Sequence, residues 1–411
     1  MRRFDTLEKY IHNLFLLLFF PIFIFGVALT NYYFLIFICY FLFFYLKDIR
    51  NIINENYKIS FSFLIYYLFL LVSSFFSEHI FHSLETTFLY IFYLVYVSCL
   101  ILILNLNPKN ILYFLSFGLI TFLIICLDAS YELLNGSNIF GYASVDGRLA
   151  GLFGDRWVIG SYLIRFLPLL FGIYLLEIKS INSKFKLPIF LIFAYSLFII
   201  SFSGERAAFL LSFLYLFLIF IYFFRKIKIR YSLLIIFSIS LFMSIPFLSI
   251  ETSERLLDNV YLYSTNFDFN QNQYLAMYFS ALEMFKDNFI LGVGPNNFRM
   301  VCDDEIYKLS IYSCSTHPHN IPLQVLSETG LFGFLFVYIV FFIFLSKSIK
   351  LIKEKRFNYR SLGLYSIQSS IIINLWPIIT SGNFFLSWNG FIYFLPFAIY
   401  ILYDKRLKTI S

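Results

Sequence analysis

The stretch that decides the fold is residues 207–224, AAFLLSFLYLFLIFIYFF, eighteen consecutive residues without a charged side chain. Arg206 stands immediately before this stretch and Arg225 immediately after it. A helix that crosses a bilayer needs about 20 predominantly apolar residues. The length, the composition and the flanking charges therefore predict a membrane-spanning helix with an arginine at each membrane surface.

Segments of the same kind recur along the whole chain of 411 residues. The composition is 60% hydrophobic and 13% charged, whereas soluble domains carry about 25% charged residues. These values exclude a cytoplasmic enzyme, a disordered linker and a disulfide-dense secreted scaffold, and they predict an all-α polytopic membrane protein. About twelve spans are expected, near residues 12–29, 31–46, 60–77, 84–104, 111–128, 157–176, 187–203, 207–224, 231–249, 330–346, 362–380 and 388–403.

Basic residues are distributed unequally between the two sides of these spans. The side that holds both termini carries 23 of the 31 Lys and Arg residues but only 7 of the 24 Asp and Glu residues. Positive loops face the cytoplasm, so we expect both termini there. The basic N-terminal start has no small-residue cleavage site after its apolar run, and we expect it to remain as the first helix.

Two loops on the opposite side are long, residues 129–156 and residues 250–329. Loops of this length are usually functional or disordered. Apolar residues at helical spacing between Tyr274 and Lys286 predict an amphipathic helix in the second loop. We therefore expect a large periplasmic cap between helices 9 and 10, with helices 1–9 in residues 1–249 and helices 10–12 with the tail in residues 330–411.

Cys302 and Cys314 both fall in the cap. In an oxidising periplasm the two thiols could pair and stabilise the fold by roughly 3 kcal/mol. Two unrelated thiols are the alternative. The other three cysteines fall in predicted spans, where a thiol is most often a small hydrophobic side chain.

Six of the eight basic residues on the external side are arginines, although the cytoplasmic side is rich in lysine. Arginine is the better bidentate partner for phosphate, whereas a topology signal can use either residue. The pattern therefore indicates an anionic ligand, with salt bridges to acidic residues of the same side as the alternative. The candidates are Arg148, Arg156, Arg165, Arg206 and Arg255.

Two of these arginines occupy special positions. Arg165 lies inside the sixth predicted span, where a charge costs several kcal/mol unless it is solvated or paired. Arg165 therefore either reaches a polar cavity or contacts a ligand. Arg206 follows Gly204 and Glu205 at a tight turn, and Glu205 could neutralise it without any ligand.

The segment His317-Pro-His319-Asn320 precedes an apolar run at the end of the cap. A histidine at the start of a helix near the membrane surface can act as a general base near neutral pH. A structural, hydrogen-bonded histidine is the alternative. The His-x-His spacing could also bind a metal, but no further ligands follow at metal spacing, so we expect no metal and no cofactor.

Four segments taken together resemble the bacterial O-antigen ligase and O-antigen polymerase superfamily. They are RLAGLFGD at 148–155, SFSGER at 201–206, DNFILGVGPNNF at 287–298 and HNIPLQVLSETG at 319–330. Their order and spacing match the superfamily across roughly residues 140–345. The positions that carry the third and fourth motifs are Gly292, Gly294, Asn320, Glu328 and Gly330.

The resemblance implies a polytopic glycosyltransferase that takes a glycan from undecaprenyl diphosphate at the periplasmic face of the bacterial inner membrane, without a metal or a nucleotide sugar. It implies that His319 is the catalytic histidine and that Arg148, Arg206 and Arg255 bind the diphosphate. The chain departs from the superfamily pattern at Glu205 and at Arg156, and Arg156 could supplement Arg148.

The leading hypothesis is an O-antigen ligase that transfers the glycan to lipid A-core or a similar acceptor. The alternative is the O-antigen polymerase, which joins lipid-linked repeat units. A transporter of lipid-linked sugars is a third hypothesis, and it predicts internal repeats that the sequence does not display. Besides the bilayer, the donor and the acceptor, the sequence indicates no nucleic-acid partner, and it leaves the oligomeric state open.

Overall fold

The computed structural model describes residues 2–224, 226, 268–354 and 357–408, and these form helices without any strand. The predicted ninth span, residues 231–249, and Arg255 lie outside the described residues. The helices are α1 (Arg2–Leu18), α2 (Val27–Glu55), α3 (Tyr57–Phe75), α4 (Ile80–Leu106), α5 (Asn110–Asn135), α6 (Ile159–Leu176), α7 (Ser183–Phe202), α8 (Arg206–Phe224), α9 (Gln273–Asp287), α10 (Phe298–Val301), α11 (Ile321–Lys353), α12 (Tyr359–Asn374) and α13 (Ser387–Lys408).

Eight of the described helices are long and apolar enough to cross a membrane: α2 to α8 and α11. Large apolar side chains remain exposed on their outer faces, such as Phe43 on α2, which is 82% exposed. A face of this kind is stable against lipid but not against water. The prediction of an all-α, multi-pass membrane protein is therefore confirmed at this level.

The first predicted span, residues 12–29, is divided in the structure. α1 ends at Leu18, a short 3-10 helix covers Pro21–Phe25, and α2 begins only after Gly26. Pro21 has no N–H to continue the α-helix, and Gly26 adopts φ 95°, a conformation that favours glycine. The apolar composition of this stretch concealed the break.

The predicted tenth span also begins in a different place. α11 starts at Ile321, nine residues before the predicted start at residue 330, and the chain breaks within it at Gly330, which has φ 61°. Further along, α12 ends at Asn374 and does not continue to residue 380. Pro377 in the following segment lacks the N–H that another helical turn requires.

α6 lies at the centre of the helix bundle and packs most closely against α12. Gly172 on α6 and Gly363 on α12 face each other. A Cβ added to Gly172 would come within 2.8 Å of the Gly363 carbonyl oxygen. Small residues on both sides let the two backbones approach, as in other membrane-embedded helix pairs. The two glycines thus set the spacing between α6 and α12.

The part of the cap that the structure describes has a small core of its own. The predicted amphipathic helix is confirmed as α9, whose apolar face packs on the segment that follows it. This core comprises Met277, Ala281, Met284, Val293, Phe298, Val301 and Cys302. Cys302 and Cys314 form a disulfide across 4.9 Å between their Cα atoms, which ties α10 to the segment before His317.

We expect the Cys302–Cys314 disulfide to stabilise the cap by roughly 3 kcal/mol. The purified protein should migrate faster on a non-reducing gel than on a reducing gel, and Cys302→Ser should remove the difference. Cys39→Ser is the matched control, because Cys39 is a free and exposed thiol. Equal mobility of the wild-type protein under both conditions would contradict the pairing.

Candidate functional site

The His-Pro-His-Asn segment, residues 317–320, enters α11 through a strained residue. His319 has φ 53°, a left-handed conformation that residues with a side chain rarely adopt. Asn320 caps α11, and its side-chain oxygen accepts a hydrogen bond from the Leu323 N–H at 3.1 Å. The Asn320 amide also donates to the Pro377 carbonyl at 3.0 Å. These contacts of Asn320 fix the position of the backbone next to His319.

The His319 imidazole is half-buried among other rings. Its centroid lies 4.1 Å from that of His317 and 6.0 Å from that of Tyr274. Among the described residues, its Nε2 contacts the Ser315 hydroxyl at 3.5 Å, which is long for a hydrogen bond. Burial lowers the pKa of His319 below 6.5, and hydrogen bonding to the Ser381 backbone opposes this shift. His319 is therefore neutral at neutral pH, the form in which an imidazole accepts a proton.

His317 has both ring nitrogens occupied. It is 7% exposed, its Nδ1 lies 2.9 Å from the Thr316 hydroxyl, and its Nε2 lies 3.0 Å from the Ser381 carbonyl oxygen. Burial, together with the nearby His319, lowers the pKa of His317 to about 3. Of the two histidines, His319 is therefore the one that is open to a substrate.

The segment 375–386, between α12 and α13, forms one wall of the site. The Ser381 N–H donates to the His319 carbonyl at 2.8 Å, while the Ser381 carbonyl accepts from His317. Sequence reasoning missed this segment because it assigned residues 362–380 to a span. Pro377 and the polar run from Thr380 to Asn383 were the available signal.

The motif around Gly292 and Gly294 docks into the break of α11. The Val293 N–H donates to the Ser327 carbonyl at 2.9 Å, and the Gly294 N–H donates to the Glu328 carbonyl at 3.0 Å. Both glycines have positive φ, and a Cβ at Gly292 would overlap the backbone of Glu328. The glycines therefore permit the close approach of two backbones.

Glu328 holds this loop in place through its side chain. Its carboxylate is fully buried and accepts hydrogen bonds from the Asn296 N–H at 2.9 Å and the Phe298 N–H at 3.0 Å. A third donor is the Gln324 amide at 3.1 Å. Glu328 therefore supports the site from within the protein and does not face a substrate.

Amide side chains extend this network to the segment 375–386. Gln324 donates to Asn383 at 2.7 Å, and its carbonyl oxygen accepts from the Phe384 N–H at 2.8 Å. Asn383 donates in turn to Asn296 at 2.9 Å. The cap loop, α11 and the segment 375–386 are thus joined in one hydrogen-bonded unit around the two histidines.

Arg148 and Arg206 are brought together by the turn at Gly204. A Cβ at Gly204 would overlap the backbone of Gly147, and the Leu149 N–H donates to the Ser203 carbonyl at 3.2 Å. The buried Nε of Arg148 has no hydrogen-bond partner in the part of the chain that the structure describes. Two motifs that are about 50 residues apart in the sequence therefore present their arginines from adjoining backbone segments.

Glu205 caps the start of α6. Its carboxylate accepts hydrogen bonds from the Gly160 N–H and from the N–H and hydroxyl of Ser161. Burial raises the pKa of Glu205 to about 7, and the hydrogen bonds and the nearby Arg148 oppose this shift. No ion pair joins Glu205 to Arg206 among the described side chains, so Glu205 leaves Arg206 available for a ligand.

Arg165 is buried within the bundle and links α6 to α12. It is 7% exposed, donates to the Asn374 side chain at 3.1 Å and lies 5.1 Å from the centroid of the Tyr393 ring. Asn374 is the last residue of α12, directly before the segment that contacts the histidines. α6 therefore connects the arginine group at its N-terminus with the histidine group.

Two other arginines have structural contacts. Arg156 donates to the Ile24 carbonyl at 2.5 Å and packs beside Gly26, so it braces the break between α1 and α2. Arg299, which sequence reasoning did not include in the site, donates to the Thr316 carbonyl at 3.1 Å and thus steadies the segment before His317. The predicted role of Arg156 in diphosphate binding stays a prediction.

We expect Gly330→Ala to lower stability strongly, because the break in α11 leaves no space for a side chain. The new Cβ would overlap the Ile290 carbonyl, and the combination of φ 61° and ψ −166° is essentially restricted to glycine and costs other residues about 1–3 kcal/mol. Gly141→Ala is the matched control, since Gly141 has φ 85° but nothing within 4 Å of an added Cβ. Thermal unfolding in detergent should show a clearly larger loss for Gly330→Ala, and equal losses would contradict the docking.

Comparison with curated proteins returns no match. The model of the family described as O-antigen ligase matches residues 191–338, which include the Gly204 turn, the loop around Gly292, the two histidines and the break at Gly330. The match confirms the resemblance of the chain to the O-antigen ligase and O-antigen polymerase superfamily.

Proposed function

We propose that this protein is an O-antigen ligase-type glycosyltransferase. It moves a glycan from undecaprenyl diphosphate to lipid A-core or a similar acceptor at the periplasmic face of the bacterial inner membrane. The observation that carries the proposal is the contrast between the two histidines in the matched family segment. Burial lowers the pKa of His319, and its Nε2 makes a long contact of 3.5 Å, whereas both ring nitrogens of His317 are engaged at about 3 Å.

The reaction needs a base for the attacking hydroxyl of the acceptor. A sugar hydroxyl is a weak acid, so its proton must pass to a neighbouring group as the new glycosidic bond forms at the anomeric carbon. A neutral His319 accepts that proton. A base in this position typically contributes about 10² to 10⁴ in rate.

The reaction also needs a counter-charge for the leaving group. The bond from the anomeric carbon to the diphosphate oxygen breaks, and the electron pair leaves with the lipid diphosphate. Guanidinium groups that are already in place stabilise this charge without reorganisation. Arg148 and Arg206 are proposed for this role, because they are presented together and Glu205 is committed to α6.

Three further arginines complete the proposed set. Arg255 belongs to it through the resemblance and lies outside the described residues. Arg165 and Arg156 stay in the proposal, although each has a structural contact. Arg156 donates to the Ile24 carbonyl, and Arg165 donates to Asn374. The contact with Asn374 indicates that Arg165 supports the substrate site through the end of α12.

The charge distribution supports the proposed sidedness. Lysines are concentrated near the two chain termini and near the connection between α6 and α7. Arg148 and Arg206 lie near the start of α6 and α8, and His319 lies near the start of α11, which places these three residues on the other side of the spans. Under the positive-inside rule the first set faces the cytoplasm, so the site faces the periplasm.

We expect His319→Ala to abolish transfer. In a deletion strain complemented with this variant, lipopolysaccharide gels should lack all long-chain glycan, and lipid-linked polymer should accumulate. His79→Ala is the matched control, because the hydrogen bonds described for His79 use its backbone oxygen alone. Full activity of His319→Ala would contradict its role as the base.

The same gels distinguish the ligase from the polymerase. Loss of ligase activity leaves the core without any glycan. Loss of polymerase activity leaves core that carries a single repeat unit, because the ligase of such a strain still acts. If the deletion strain makes core that carries a single repeat unit, the protein is the polymerase and not the ligase.

We expect Arg206→Lys to lower kcat/KM at least about 10-fold, the equivalent of one lost hydrogen bond to a charged group. Lysine keeps the charge but loses the planar, bidentate geometry of the guanidinium group. Lys308→Gln is the matched control, since Lys308 is exposed and pairs with Asp303 at 3.0 Å. Activity of Arg206→Lys close to that of the wild type would argue against bidentate diphosphate binding.

A further inference from the structure

The backbone of Ser381 holds both histidines at once. Its N–H donates to the His319 carbonyl at 2.8 Å, and its carbonyl oxygen accepts from His317 Nε2 at 3.0 Å. Ser381 lies in the irregular segment 375–386, in which the Pro377 carbonyl accepts a hydrogen bond from Asn320 and the Phe384 N–H donates one to Gln324. One residue of this segment therefore connects a buried histidine with a strained one.

The partners of His317 determine where its proton lies. A carbonyl oxygen can only accept, so Nε2 carries the hydrogen and donates it to Ser381. Nδ1 is then the acceptor for the Thr316 hydroxyl at 2.9 Å. In this state neither nitrogen can take a proton from a substrate, yet the ring packs directly against that of His319.

His319 depends on this support for two reasons. Its left-handed backbone, with φ 53°, is unfavourable for a residue with a side chain and persists only where its surroundings hold it. Its imidazole also interacts with the Ser381 backbone, so the position of the Ser381 carbonyl affects which nitrogen of His319 keeps a hydrogen.

We propose that His317 is a positioning residue of the site: it anchors Ser381, and through Ser381 it fixes the backbone and the imidazole of His319. The inference rests on the proposed function of His319 as the base and extends it to a residue that does not touch the substrate. It assigns a role in the reaction to the segment 375–386 as well.

The surroundings of the pair determine the sign of the expected pH effect. Among the described residues, the charged and titratable side chains facing the pair are Tyr274 from α9 and Arg299 from α10. The Ser381 backbone favours the protonated form of His319. If His317 no longer uses the Ser381 carbonyl, that carbonyl is free to bind His319 alone, and the pKa of His319 should rise.

The test compares His317→Phe with His317→Gln. Phenylalanine keeps the ring but removes the donor to Ser381, whereas the glutamine amide reaches approximately the place of Nε2 and keeps the donor. With lipid-linked glycan extracted from the deletion strain and the lipopolysaccharide core of that strain, His317→Phe should lower kcat roughly 10- to 100-fold. KM should change less than about twofold, and the acid limb of the pH profile should move to higher pH.

His317→Gln should restore the acid limb and most of kcat, and His79→Gln is the matched control outside the site. His317→Phe with wild-type kcat and an unchanged acid limb would overturn the inference. A raised KM with unchanged kcat would also overturn it, because it would mean that His317 contacts the substrate.

A second measurement needs no variant. Diethyl pyrocarbonate modifies free imidazole nitrogens, so in the folded wild-type protein it should modify His319 at least about 10-fold faster than His317, as judged by peptide mass mapping. Equal rates would overturn the engagement of His317 whatever the activity results. An active His319→Ala would overturn the proposed base instead, so the two failures are distinguishable.

Discussion

The buried carboxylate of Glu328 is the interaction on which the site depends. A carboxylate removed from water must be satisfied by donors, and Glu328 obtains two of its donors from the backbone of the cap loop and one from Gln324. The loop can supply them only because α11 breaks at Gly330 and admits it. The cap loop, the break in α11 and the Glu328 carboxylate therefore depend on one another. The two histidines directly precede the same helix, so their position depends on this arrangement as well.

The membrane spans and the sidedness of the charges follow from the sequence, because a span needs a run of apolar residues and the orientation depends on where Lys and Arg lie. The four motifs also identify two pairs of adjoining segments, one joined at Gly147 and Gly204 and the other at Gly292 and Glu328. The helix breaks at Gly26 and Asn374 do not follow in the same way, since apolar residues lie on both sides of each. At Gly330 the polar residues 327–329 predicted the start of a span, whereas the structure has a break within α11. A hydropathy pattern reports burial in lipid and says nothing about where the backbone hydrogen bonds stop.

The candidate residues show a similar division. The sequence marks His319, Arg148 and Arg206 through their residue types and spacing. It does not mark Ser381, because Ser381 contacts the histidines through its backbone N–H and C=O, which almost every residue has. The resemblance selects His319 over His317, but the physical reason was not visible in the sequence, since it depends on which imidazole nitrogens have hydrogen-bond partners in the tertiary structure.

The two halves of the site belong to different parts of the chain, and a single buried helix relates them. A base acts on the acceptor and a cation acts on the leaving group, so the two must stand on opposite sides of the transferred sugar at a fixed separation. Flexible loops alone could not maintain such a separation. α6 carries the Glu205 cap beside the arginines at one end and the Arg165 contact to Asn374 further along. Its packing against α12 at Gly172 and Gly363 positions α12, whose last residue, Asn374, directly precedes the segment that contacts the histidines. The proposed arrangement of base and arginines therefore depends on the contact between α6 and α12, away from the surface where the chemistry is proposed to occur.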